Sequence, residues 1–208
     1  MPVIALIGNK GGAGKTTLSV NLAAGLARNT DTAVLDADPQ GSALQWRAIS
    51  EDAQTPPVYE ADGNLPEQIE ALAEKYHHVV IDCPPSVHAQ QTHTVLRLCD
   101  LALIPVQPSP VDLWATVHTE RAIRDARELN TRLMAIMVIN QLESRTTLSR
   151  LVREAVAEIA LPVASNAIRR RAIYRTSVLE GKSVFDMGRR GAEAANEINN
   201  LIDEVMRS

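Results

Sequence analysis

Val3-Ile4-Ala5-Leu6-Ile7 runs directly into Gly8-Asn9-Lys10-Gly11-Gly12-Ala13-Gly14-Lys15-Thr16-Thr17. The first five residues are continuously apolar, as in a strand of a parallel sheet covered on both faces. From Thr16 to Arg28 the apolar positions fall at Leu18, Leu22 and Leu26, which is a helical period. The segment between them matches G-x-x-x-x-G-K-[ST], with Gly8 as the first glycine and Gly14-Lys15-Thr16 closing the pattern. Glycines let such a turn curl until successive N–H groups point inward at phosphate oxygens, and the helix that follows adds the positive end of its dipole. Gly11, Gly12, Ala13, Gly14, Lys15, Thr16 and Thr17 are therefore the expected cradle. Lys15 is placed to reach the β- and γ-phosphates, and the Thr16 hydroxyl to ligate Mg²⁺. Lys10 is a second lysine, at the start of the turn. Three uses are open to it: adding to the neutralisation of the same triphosphate, pointing outward to a second molecule, or standing as an incidental surface lysine.

Outward from this segment, short β-branched runs alternate with helical stretches. Thr32–Asp36, Val58-Tyr59, His78–Asp82, Leu101–Val106 and Leu133–Asn140 read as strands. Helices are expected over Gln40–Ile49, Pro66 to about Lys75, Ala89–Leu98, Val111–Leu129, 146–160, Arg171–Glu180 and Ala192–Met206. Alternation at this spacing predicts an α/β fold, a doubly wound and mostly parallel sheet flanked by helices on both faces. No repeat or linker interrupts it, so residues 1–208 are expected to form a single domain.

The chain has 208 residues, 45% of them hydrophobic and 22% charged, which excludes disorder as the main state. Aromatics make up only 3%, so the core must be aliphatic. Two cysteines, Cys83 and Cys99, are too few for a disulfide scaffold, and a reduced, cytoplasmic setting is the default. No run approaches the ~20 apolar residues of a membrane span. The start of the sequence does not read as a signal peptide, nor does it leave room for a helix-turn-helix ahead of the first strand. The formal net charge of −4 is unevenly spread. Residues 141–191 hold ten Lys/Arg against five Asp/Glu, a net of +5, and the rest of the chain carries −9. A basic third on an acidic body is either a solvated face or a surface for a polyanion.

Lys10-Gly11-Gly12-Ala13-Gly14-Lys15-Thr16-Thr17 resembles the deviant Walker A motif of the ParA/MinD family of P-loop ATPases. Asp36-Ala37-Asp38-Pro39-Gln40 is similar to that family's D-x-D-P-Q segment, and Val79-Val80-Ile81-Asp82 to its Walker B strand. Ile104-Pro105-Val106 and Ile139-Asn140 fit its later strands. The stretch from Ile168-Arg169-Arg170-Arg171 to Ser183-Val184-Phe185 resembles small partition ATPases of the ParF kind. The resemblance implies a P-loop NTPase fold, ATP and Mg²⁺ as cofactors, and hydrolysis by an ATP-bound homodimer. Lys10 would reach across that dimer to the partner's ATP. Asp38 would orient the attacking water, Asp82 would hold Mg²⁺ through water, and Asp36 would help position Mg²⁺ or the switch loop. Asn140 stands at the family's adenine-reading position, although capping or turning the next segment is an equal use for it.

Arg169, Arg170 and Arg171 form the densest cationic cluster, which Arg145, Arg189 and Arg190 could widen. Arginine suits phosphate oxygens, and related dimers grip nonspecific DNA through such C-terminal residues. Some of these arginines could instead face a dimer partner or the nucleotide. The resemblance implies a nucleoid-associated ATPase that positions a plasmid, a chromosome or a protein organelle such as a carboxysome. A small adaptor or centromere-binding protein would stimulate its hydrolysis. The alternative is a MinD-like ATPase that cycles on membranes, against which the acidic Leu201–Ser208 tail counts. A nitrogenase-iron-protein-like reductase is disfavoured because Cys83 and Cys99 read as buried small hydrophobes. The five histidines share no ligand spacing and read as surface or capping residues, and Trp46 and Trp114 read as packing.

Overall fold

The computed structural model describes residues 3–52, 54–143 and 158–207. Six strands, β1 (Val3–Leu6), β2 (Thr32–Asp36), β3 (Val58–Glu60), β4 (His78–Asp82), β5 (Leu101–Val106) and β6 (Met134–Ile139), form one sheet in the order β3-β2-β4-β1-β5-β6. Every pairing is parallel. The helices are α1 (Lys15–Ala27), α2 (Ser42–Ile49), α3 (Leu65–Lys75), α4 (Gln90–Leu98), α5 (Pro110–Arg127), α6 (Ala172–Leu179) and α7 (Ala192–Val205), with a 3₁₀ segment at Val184–Arg190. The doubly wound sheet read from the sequence is the fold observed. Most of the helix expected over 146–160 lies outside the described residues.

Alternate strand residues feed two cores, as a period of two requires. Val3, Ala5, Ile7, Leu35, Val79, Ile81, Ala102 and Ile104 pack under α3, α4 and α5. Ile4, Leu6, Val34, Val80, Leu101 and Leu103 pack under α1, α2, α6 and α7. Helix α1 lies deepest, with Leu18, Val20, Leu22, Ala23 and Leu26 all buried. Each aliphatic side chain taken fully out of water stabilises the fold by about 1.5–3 kcal/mol, which lets the core be built with few aromatics. Trp46 and Tyr174 are the buried aromatic side chains among the described residues.

Pro105 sits within β5 without breaking a ladder. Leu103 faces β1, accepting from the Ile7 N–H at 3.0 Å, and Val106 faces β6, accepting from Asn140 at 2.8 Å. Two residues after Leu103, Pro105 also faces the β1 side, but β1 pairs with β5 only as far as Leu103, so no donor is needed there. The outer edge of β6 is covered by residues 162–170. Met137 N–H donates to the Pro162 carbonyl at 2.8 Å, and Ile168 N–H to that of Ile139 at 2.9 Å. This edge strip satisfies backbone groups that would otherwise be open for pairing, and it carries Arg169 and Arg170 to the carboxyl end of the sheet.

Register aligns the acidic residues. Asp36 and Asp82 are level across β2 and β4, and Asp82 is level with Leu6, two residues before Gly8. Both carboxylates thus end their strands at the edge where the glycine turn begins, where open α/β sheets place ligands. Among the described residues no helix is long and apolar enough to cross a membrane.

Candidate nucleotide site

The turn from Gly8 to Gly14 joins β1 to α1. Gly12 and Gly14 have φ of +77° and +89°, in the left-handed region that favours glycine. Helix α1 has no side-chain cap and no acidic residue in its first turn. Its leading N–H groups and positive dipole end are therefore free for an anion.

Three side-chain amides brace this turn, and composition gave no sign of two of them. Gln107 Nε2 donates to the Gly12 carbonyl at 3.0 Å and Gln141 Nε2 to the same oxygen at 2.9 Å. Asn140 Nδ2 donates to the Ala13 carbonyl at 2.7 Å, and its Oδ1 accepts from the Gln141 N–H at 2.9 Å. Asn140 is buried, and its amide is engaged by the protein at both ends. Asn140 thus braces the phosphate turn, a use that neither reading of the sequence anticipated. Gln141 has φ +58°, an uncommon conformation for a residue with a side chain, held here by the amide that reaches Gly12.

Lys15 is buried, and its ammonium donates to the Lys10 carbonyl at 3.3 Å. Burial lowers its pKa, with Asp82 and Asp38 opposing, so an anion entering the turn restores what the lysine lost on leaving water. Lys10 pairs through its ammonium with Asp112 Oδ1, near the start of α5.

Asp82 is fully buried. The Ser19 hydroxyl of α1 donates to its Oδ1 at 3.1 Å, while Oδ2 lacks a hydrogen bond of good geometry. Burial pushes its pKa up to about 7, the nearby Asp36 adds to this, and the Thr16 and Ser19 hydroxyls and the Lys15 ammonium pull the other way. A buried carboxyl oxygen without a partner, beside a threonine hydroxyl and a phosphate turn, fits a hydrated divalent cation. Among the described residues no three His, Cys, Asp or Glu side chains converge to hold a metal. One carboxylate and one hydroxyl suit Mg²⁺, which keeps waters and shares substrate phosphates.

Asp36 is engaged as a cap. Its Oδ2 accepts from the Ala43 and Leu44 N–H groups of α2 at 2.9 and 3.0 Å, and its Oδ1 from the Asp38 N–H at 3.2 Å. Its pKa is raised by burial despite these bonds. Asp36 thereby shapes the Asp36–Gln40 segment. Asp38 accepts from the Gln40 N–H at 3.0 Å, lines a cavity of about 570 Å³ with Glu60 and Asp62, and lies within electrostatic reach of Lys15.

On the other side of the turn, a cavity of about 440 Å³ is lined by Gly14, Thr17, Asn140, Arg169, Arg170 and Tyr174, among others. The arginine cluster divides here. Arg171 is tied to Glu193 and, at 2.8 Å, to Glu197 of α7, and Arg170 lies 3.3 Å from Glu143. Arg189 and Arg190 are exposed at the end of the 3₁₀ segment and have no ion pair among the described residues. Arg145 lies outside the described residues. Both cysteines are buried, with thiol pKa values pushed up by burial, that of Cys99 to about 12. Two minor expectations change. His78 is buried at the start of β4 instead of lying at the surface, and Trp114 is 64% exposed on α5, where packing was expected.

Residues 4–184 match the CobQ/CobB/MinD/ParA nucleotide binding domain. Maintenance of carboxysome distribution protein A from Halothiobacillus neapolitanus is 43% identical over 209 aligned positions, covering 99% of this chain and 96% of that protein. The sporulation initiation inhibitor protein Soj of Bacillus subtilis is 27% identical, over 92% of this chain and 94% of its own. Among solved structures, a Cyanothece McdA variant in complex with ATP superposes with a TM-score of 0.78 at 16% identity, over 99% of this chain and 96% of that one. MinD of Pyrococcus horikoshii with Mg-ADP superposes at 0.72 and 20% identity, over 99% and 97%. With a phosphate turn between β1 and α1 and relatives of this kind along nearly its whole length, the chain belongs to the ParA/MinD family of nucleotide-binding P-loop proteins.

Proposed function

We propose that this protein is a Mg²⁺-dependent ATPase that pairs around bound ATP, grips DNA without sequence preference, and distributes carboxysomes along the nucleoid. The observation that carries the reading is the near full-length likeness, at 43% identity, to a maintenance of carboxysome distribution protein A. The two lysines of one turn supply its chemistry. Lys15 and the N–H groups of Gly11 to Thr17 hold the triphosphate of their own subunit. Lys10 neutralises charge on the phosphates of the second subunit. Thr16 and Asp82 would hold Mg²⁺, which would supply positive charge to offset the negative charge that develops on the phosphates. Asp38 orients the attacking water, and Asp36, through its bonds to Asp38 and α2, positions the segment that carries it.

Arg169, Arg189 and Arg190 are among the exposed cations offered to DNA, and pairing of two copies doubles a weak patch. An adaptor protein associated with the cargo would stimulate hydrolysis and release the DNA. Membrane cycling draws no support from α7, because its apolar residues Ala194, Ile198, Leu201 and Val205 are buried in the core.

Carboxysome position in cells of the source organism tests the reading. Replacement of the gene by its Lys15→Ala form is expected to turn evenly spaced carboxysomes into clusters. Unaltered spacing alongside missegregated plasmid or chromosome would assign a DNA cargo instead. In purified protein, Asp38→Ala is expected to trap ATP-bound pairs on DNA, and rapid turnover by that variant would remove Asp38 from the reaction.

A further inference from the structure

His88 and His118 come from separate elements, yet their imidazoles meet edge to face with ring centroids 6.0 Å apart. His88 lies in the link from β4 to α4, downstream of Asp82, and His118 lies near the middle of α5. The backbone beneath each ring is fixed. The His88 N–H donates to Ser86 Oγ at 3.2 Å, and the Ser86 carbonyl accepts from the Thr92 hydroxyl of α4 at 2.9 Å. On α5, His118 stands between the buried Thr116 and Thr119. Both histidine side chains are exposed, and neither makes a hydrogen bond to a described residue. Their ring nitrogens are therefore free to turn toward a shared ligand.

An ion bound by one nitrogen of each imidazole at ~2.0–2.1 Å holds the two ring centroids roughly 5–6 Å apart. The two rings already stand at the spacing of a chelating pair. Imidazole suits Zn²⁺, Cu²⁺ and Ni²⁺, whereas Mg²⁺ prefers oxygen, so this pair and the Thr16–Asp82 site take different ions. The other close pair is a weaker candidate. His77 and His78 have centroids 4.9 Å apart, but they are consecutive residues, and His78 is buried with its Nδ1 enclosed.

We infer that His88 and His118 form a two-histidine site for one ion of the zinc class, which ties the link after Asp82 to α5. Among the described residues no third His, Cys, Asp or Glu joins them, so water completes the coordination. The ion would join the strand end that carries the Asp82 carboxylate to the helix whose first turn meets Lys10. The site stands whether or not the protein pairs around ATP.

The test uses the full chain, stripped of metal with a chelator and free of nucleotide. Calorimetry with Zn²⁺ is expected to show one ion bound per chain. Cu²⁺ supplies a local readout, because Trp114 lies one turn before His118 and is 64% exposed, whereas the other tryptophan, Trp46, is buried. Saturable quenching of Trp114 emission is expected, reversed by Zn²⁺ and unaffected by excess Mg²⁺. His88→Gln and His118→Gln should each raise the Cu²⁺ concentration at half-quenching on the order of tenfold or more, since one of two protein ligands is lost. His77→Gln should leave it unchanged. Zn²⁺ should also raise the urea midpoint of the parent and of His77→Gln, and not that of the other two variants. Absence of saturable binding would overturn the site, as would quenching at the parent's midpoint in either His88→Gln or His118→Gln. Loss of binding in His77→Gln would assign the ion to the consecutive pair instead and overturn this one.

Discussion

At the scale of single residues, the site is governed by charges the protein has partly stripped of water. Lys15 gains from any anion that enters the turn, so Lys15→Ala is expected to abolish measurable binding of a fluorescent ATP analogue while leaving the circular dichroism spectrum intact. Asp82 shows the reverse imbalance, because its ionised form is poorly satisfied until a cation arrives. Its folded pKa, about 7, lies above the ordinary 3.8, so the nucleotide-free fold binds this proton more tightly than the unfolded chain does. The stability contributed is complete below the ordinary value and is lost as pH rises through about 7, at about 1.4 kcal/mol per unit. Urea titrations of nucleotide-free protein between pH 5 and 7.5 should therefore show falling stability as pH rises. The slope should flatten in Asp82→Asn, and an equal slope in both proteins would count against this account.

At the scale of elements, the phosphate turn is held in shape from strands that follow it by some hundred residues. An alanine Cβ at Gly14 would lie 2.4 Å from Asn140 Nδ2, on a residue whose φ is already +89°. Gly14→Ala must therefore push Asn140 off the Ala13 carbonyl as well as strain its own backbone, at roughly 1–3 kcal/mol. Nucleotide affinity is expected to drop on the order of tenfold or more, tenfold being about 1.4 kcal/mol, measured by calorimetry against the parent. The motif itself was legible because every atom of its function lies in ten consecutive residues. Its braces were not, because a glutamine at 107 or 141 has no local pattern that marks it as facing Gly12. Asp36 looked like a site carboxylate for the same reason. Only the position of α2 shows that its Oδ2 accepts from the Ala43 and Leu44 N–H groups while Oδ1 accepts from the Asp38 N–H.

At the scale of the whole molecule, the basic third of the chain separates into arginines that hold the fold and arginines left to solvent. Arg171 ties the end of the β6 edge strip to Glu193 and Glu197 of α7. Arg171→Ala is expected to lower stability by about 1 kcal/mol in thermal or urea unfolding, with a modest effect on DNA. Replacing Arg189 and Arg190 together should instead weaken DNA co-sedimentation steeply and reduce its salt dependence, with little change in stability. A second global constraint is Gly181, with φ +63°, where a Cβ would lie 2.6 Å from the Ile49 carbonyl carbon and the Ser50 nitrogen. Both neighbours are backbone and cannot step aside. Gly181→Ala should therefore destabilise the junction between α2 and the segment after α6 by roughly 2 kcal/mol or more, read as a lowered urea midpoint.

Strand periods, helix periods and the spacing of Gly8, Gly14, Lys15 and Thr16 are local properties, and the parallel sheet, its helical layers and the phosphate turn follow from them. Which charge meets which was decided by topology alone. The crossover from β5 brings Asp112 to Lys10, and the strip along β6 brings Arg171 to the glutamates of α7. Ion pairs and amide braces of this kind join residues tens to more than a hundred positions apart. Their partners are chosen by the order of strands in the sheet, which no window of sequence contains.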